Sequence, residues 1–137
     1  MSKYKQVLIM ILIAVPFTII NFSFYLKGHP PHLVHAVASL LFLLAWFVLG
    51  FKSKGNEFVL RSTLFWLTGV ILLLAGYYLD VALLFIPGSI LWAGPVYGLR
   101  YVLNLPSNVM FAVISIVCAY ACGVAGFALG RYLKKSP

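Results

Sequence analysis

The sequence predicts an all-α membrane protein: a bundle of four transmembrane helices, N-in/C-in, with a long irregular outer connection between helices three and four. Three observations carry this. The chain is 64% hydrophobic and 9% charged, with a mean hydropathy of +1.06, outside the range of soluble globular domains. Four uncharged apolar runs are long enough to cross a hydrocarbon core of ~30 Å, which takes about 20 helical residues. Eight of the ten Lys and Arg residues fall in three patches that alternate with those runs: Lys3 and Lys5, then Lys52, Lys54 and Arg61, then Arg131, Lys134 and Lys135. Basic residues close to membrane spans stay on the cytoplasmic side, which puts both chain ends and the middle patch there.

The first run, Val7–Leu26, follows the basic stretch Met1–Lys5. It is longer than the ~7–15 apolar residues of a secretory signal and no A-x-A-like site follows, so an uncleaved span is expected. Neither end carries a lipidation motif. Pro30 and Pro31, in the connection Lys27–His32, stop one helix and start the next. The second span is Leu33–Phe51. Gly55 and Asn56 mark a turn within Lys52–Arg61, and the third span is Ser62–Leu79. The last is Asn108–Gly130. All four runs are continuous rather than alternating, which selects helices over barrel strands. The short connections predict helices one, two and three as antiparallel neighbours. No internal repeat is evident, and 137 residues make a single membrane domain.

The irregular part is Asp80–Ser107. Val81–Leu99 is uncharged and long enough to be a fifth span. That alternative would move Arg131, Lys134 and Lys135 outside and leave almost no turn after Asp80. Pro87, Gly88, Gly94, Pro95 and Gly98 also argue against a straight helix. The expectation is an outer connection that is interfacial or re-entrant, with Trp92, Tyr97 and Tyr101 at headgroup depth.

Several constellations could carry chemistry. His29, His32 and His35 cluster at the outer entry to the second span, and imidazoles at such spacing suit a metal or haem iron. Asp80 is one of two acidic residues; Arg100 and Lys27 share its side, which predicts an ion pair. In the first span, Pro16 frees a carbonyl, and Thr18, Asn21 and Ser23 are polar. Depth alone places Asn21 near His35 and Asp80, so Asn21, His35, Asp80, Trp92, Tyr97 and Arg100 form a candidate ligand site open to the outside. In the last span Ser115, Cys118, Cys122, Gly126 and Gly130 recur every three or four residues. Such a small-residue face permits close helix approach, within the bundle or against a second protein. The two cysteines form neither CxxC nor a zinc pattern, so packing is their expected role.

The net charge of +8 flanks apolar runs and faces anionic membrane lipid; nucleic acid is excluded by the lack of a basic groove with stacking aromatics. G-x-S-x-G, HExxH, P-loop and GxGxxG motifs are absent, as are paired carboxylates. The leading expectation is a non-enzymatic accessory, regulatory or immunity-type subunit that binds a membrane partner or oligomerises. Beside it stand a transport or small-ligand unit using the outer site, and metal or haem binding at the His cluster. Short connections and a compact chain fit a bacterial cytoplasmic membrane.

Overall fold

The computed structural model describes residues 3–104, 106 and 108–135, with the side chains of Lys3, Phe22, Ser23, Tyr25, Leu26 and Lys135 outside the description. It is all-helical. Four helices are long and apolar enough to cross a membrane: α1 (Lys3–Lys27), α2 (Leu33–Lys52), α3 (Glu57–Tyr78) and α6 (Val109–Lys135). Between α3 and α6 lie α4 (Ala82–Gly88), a π-helical turn (Ser89–Ala93), a 3₁₀ turn (Gly94–Val96) and α5 (Leu99–Leu103). The chain therefore has no fifth long helix among its described residues.

The helix ends follow from local chemistry. After α1, Gly28 adopts φ +63° and the His29 N–H reaches the Phe24 carbonyl at 3.1 Å, the 6→1 bond of a Schellman stop, which Pro30 and Pro31 make final. At the start of α2 the His32 N–H donates to His35 Nδ1 at 3.0 Å, so the His35 ring fills the reciprocal half of a capping box. The third helix begins five residues earlier than the apolar run does, because Glu57 and Arg61 form an i,i+4 ion pair on its first turn. Asp80 turns the chain with φ +54° and Asn104 does so with φ +49°, residue types that tolerate the left-handed region.

Both described chain ends and the 52–57 turn lie at one end of the bundle, termed the basic end. Arg61 Nη1 donates to Gln6 Oε1 at 2.5 Å, tying α3 to α1. Arg131 Nη1 donates to Asn56 Oδ1 at 2.5 Å, tying α6 to the turn.

The packing order differs from the expected one. α1 packs on α2, but α2 packs most extensively on α6, and α6 lies against α3. Helices α2 and α3, although joined by a short turn, sit diagonally across the bundle. Their large rings meet at its centre, where Trp46 lies 4.9 Å from Trp66 and 5.6 Å from Phe65 between centroids. The reason is bulk: α2 and α3 turn aromatic rings toward each other, whereas α2 and α6 meet at glycines. A Cβ on Gly126 would lie 2.1 Å from the Phe47 carbonyl oxygen, and one on Gly130 would lie 2.4 Å from that of Phe51. Backbones that close favour the α2–α6 pair through dispersion, the main force between helices in an apolar medium.

The fifth wall of the bundle is the segment 82–103, folded as a hairpin. It descends antiparallel to α3. Gly76 admits the backbone of Phe85, and Gly69 admits the Trp92 side chain, whose Cγ would be 2.3 Å from an added Cβ. Trp92 Nε1 donates to the Phe65 carbonyl at 2.7 Å, roughly 20 Å along α3 from Tyr78 at 1.5 Å per residue. The chain reverses at Gly94–Pro95 and climbs back between α1 and α2. Everything from Trp92 to Leu99 is buried. Trp92 and Tyr97, expected at headgroup depth, are thus interior residues; Tyr101 alone of the three is exposed.

Candidate functional site

The hairpin reversal is where polar chemistry concentrates. A π turn, a proline and a 3₁₀ turn in succession remove carbonyls from regular i→i−4 bonding, and inside an apolar bundle each needs another donor. Residues of α1 and α2 supply them. Thr18 Oγ1 donates to the Ile90 carbonyl at 3.0 Å. Asn21 Nδ2 donates to the carbonyls of Gly94 at 3.0 Å and Pro95 at 3.2 Å, with Ser39 Oγ at 3.3 Å. Ser39 Oγ donates to the Pro95 carbonyl at 2.9 Å and accepts the Gly98 N–H at 3.0 Å. Gly98 is required at that point, since a Cβ there would come within 1.9 Å of the His35 carbonyl oxygen. Asn21 and Ser39 are fully buried. One acceptor in this cluster, Asn21 Oδ1, has no hydrogen-bond partner, and neither has Ser89 Oγ.

Toward the end opposite the basic one, Tyr97 OH donates to the His29 carbonyl at 2.7 Å and accepts from Arg100 Nη1 at 2.7 Å. The Arg100 guanidinium also stands 5.3 Å from the Tyr97 ring centroid, a cation–π distance. A cleft of about 180 Å³ runs between α3, the hairpin and α6, and Tyr97, Leu73, Phe85 and Asn108 are among its lining residues.

Of the six residues expected to form one ligand site, the structure therefore joins Asn21 directly to the hairpin, while Tyr97 and Arg100 form a second group tied to His29. His35 is buried against Phe24, 4.2 Å between ring centroids, and is engaged in the α2 cap. Trp92 points the other way, into the aromatic cluster, 5.3 Å from Phe65. Asp80 stands apart. It is exposed, and among the described residues it makes no ion pair with Arg100 or Lys27; its role is the left-handed turn that starts the hairpin. Ser23 lies outside the described side chains.

The His cluster is likewise not assembled as a ligand set. Phe24 sits between the imidazoles, 6.2 Å from His29 and 5.2 Å from His32 as well as 4.2 Å from His35. No three His, Cys, Asp or Glu residues among those described are placed to hold a metal ion. The three-residue spacing of His32 and His35 serves the start of α2, where the His32 N–H reaches His35 Nδ1.

The small-residue face of α6 differs from the expected one. Ser115, Gly126 and Gly130 are buried, but Cys118 is exposed and Cys122 only half-buried. Ala119 and Gly123 occupy the packed positions instead. The face is covered by α2 of the same chain, as the close approaches of Gly126 and Gly130 require.

Ser39 belongs to the site although it is not among the residues the sequence singles out. It is a hydroxyl in an otherwise apolar run, six residues into α2, as Asn21 is six residues from the end of α1. Equal depth on adjacent helices was the clue. Comparison with protein-family models, curated proteins and solved structures returned no match.

Proposed function

We propose that this chain is a small integral membrane protein that acts by binding rather than by catalysis or conduction, as an accessory, regulatory or immunity-type subunit of a membrane partner. The observation that supports this most is the filled interior. Met10, Phe42, Trp46, Leu73 and Tyr97 are at most 1% exposed, and the hairpin closes the remaining side of the bundle with its carbonyls held by Thr18, Asn21 and Ser39. A core packed in this way supports a rigid scaffold better than an alternating-access carrier. The basic residues gathered around the 52–57 turn and the described chain ends favour a cytoplasmic location for that end, by the positive-inside rule. The internal use of the Gly126–Gly130 face leaves the lipid-facing surfaces of α1, α3 and α6 as the places for a partner.

In-membrane crosslinking followed by affinity purification in mild detergent tests this. A discrete membrane protein should be recovered in near-stoichiometric amount; recovery of this chain alone, as a monomer, would contradict it.

A small-ligand role is favoured by one specific observation, the unpartnered Asn21 Oδ1 beside the hairpin carbonyls. Buried polar atoms normally have partners, and a small polar solute or cation at the hairpin would provide one. Loss of solute binding or flux on Asn21→Leu, with the fold retained, supports this role; unchanged binding removes it. The arrangement of the imidazoles gives the metal or haem alternative no comparable support.

A further inference from the structure

At the basic end, residues of α1, α2, α3 and the 52–57 turn line a cleft of about 430 Å³. Its rim carries Lys52, Lys54 and Arg61, with Glu57 as the one acid, and its floor is apolar, made by Ile9, Leu49 and Phe58. Arg61 is held in place there. Its Nη1 donates to Gln6 Oε1 at 2.5 Å and its Nη2 pairs with Glu57, while Gln6 itself is 6% exposed. A buried amide that positions a guanidinium leaves the remaining N–H groups of its fork directed and its entropy already lost. Lys52 and Lys54 make no hydrogen bond or ion pair among the described residues, so their ammonium groups remain available.

We infer that this cleft is a binding site for the phosphate of an anionic phospholipid, with Arg61, Lys52 and Lys54 on the headgroup and the floor of Ile9, Leu49 and Phe58 under the first carbons of an acyl chain. Three features select a lipid over a free phosphate. The polar rim and apolar floor match an amphiphile. The cleft lies where three helices long and apolar enough to cross a membrane end, the depth of headgroups. Basic pockets between such helices are a recurrent mode of anionic-headgroup capture. Glu57 opposes the anion but leaves a rim of three cations to one carboxylate. The inference stands independently of any protein partner and of which leaflet the basic end faces.

The test uses the full chain in a neutral detergent, titrated with a fluorescent short-chain phosphatidylglycerol, with the matching phosphatidylcholine, and with glycerol 3-phosphate as competitor. Phosphatidylglycerol should bind roughly tenfold or more tightly than phosphatidylcholine. The double variant Lys52→Gln/Lys54→Gln, which breaks no internal bond and should melt like the parent, should abolish that preference. The control pair Lys5→Gln/Lys134→Gln removes two positive charges from the same end but outside the cleft, and should keep it. Equal binding of the two lipids overturns the site. So does a control pair that is as damaging as Lys52→Gln/Lys54→Gln, because the attraction would then be diffuse. Displacement by glycerol 3-phosphate at the lipid's own concentration would reassign the cleft to a soluble phosphate and overturn the lipid.

Discussion

The side-chain amide of Asn21, in α1, donates to the carbonyl oxygen of Gly94, 73 residues away at the reversal of the hairpin, at 3.0 Å. That contact and its neighbours convert an interrupted apolar segment into a wall of the bundle. Without such donors a backbone broken by Pro87, a π turn and Pro95 could not remain inside an apolar core.

Replacing Asn21 by Leu removes the donor for Gly94 and Pro95 while keeping the side chain's branched shape. The expected loss is about 1–2 kcal/mol, between the ~0.6 average of hydrogen bonds in membrane bundles and the ~1–3 of stranding buried groups. Ser39→Ala strands the Gly98 N–H and should cost a similar amount. Both are read from thermal unfolding in detergent. Loss-free substitutions would show that the hairpin is held by packing alone.

The α2–α6 seam makes a sharper prediction because two neighbouring glycines differ. A methyl on Gly126 collides with the Phe47 carbonyl oxygen at 2.1 Å, whereas one on Gly123 meets nothing nearer than 3.4 Å. Gly126→Ala must separate two backbones and should destabilise by about 3 kcal/mol or abolish folding. Gly123→Ala makes ordinary contacts and gains helix propensity, so its stability should stay within about 0.5 kcal/mol of the parent or rise. A reversed order in melting temperature would mean that the seam is wrongly registered.

Asp80 is exposed and makes no ion pair among the described residues, and its φ of +54° suits Asn equally well. Asp80→Asn should therefore shift stability by less than about 0.5 kcal/mol, while Asp80→Gly, which relieves the left-handed strain, should be neutral or stabilising. A loss from Asp80→Asn as large as that from Asn21→Leu would reinstate an ionic role for the carboxylate.

A sequence of this kind makes some features legible and hides others. Helix existence was plain, since a charge-free run bounded by Pro30–Pro31 or by Gly55–Asn56 leaves few options. The Pro and Gly residues of 87–98 correctly announced irregular backbone. How it packs was hidden, because in an apolar medium core and lipid faces are both apolar and periodicity carries little contrast. The same uniformity lets the three- and four-residue spacing point to Cys118 and Cys122, whereas Ala119 and Gly123 occupy the packed face. It also hides from the sequence that α6, last in the chain, packs against both α2 and α3. The His cluster is ambiguous for a different reason: the three-residue spacing of His32 and His35 serves a helix cap as readily as a metal.

The central claim is that residues 82–103 enter and leave the bundle at the same end. Single cysteines at Lys54, Asp80 and Pro106, in a Cys118→Ala/Cys122→Ala background, can be probed with a membrane-impermeant maleimide in intact cells and again after permeabilisation. The account predicts that the cysteines at positions 80 and 106 react from the same face, with the one at position 54 reacting only from the other. Positions 80 and 106 reacting from opposite faces would contradict it, because the segment between them would then cross the membrane.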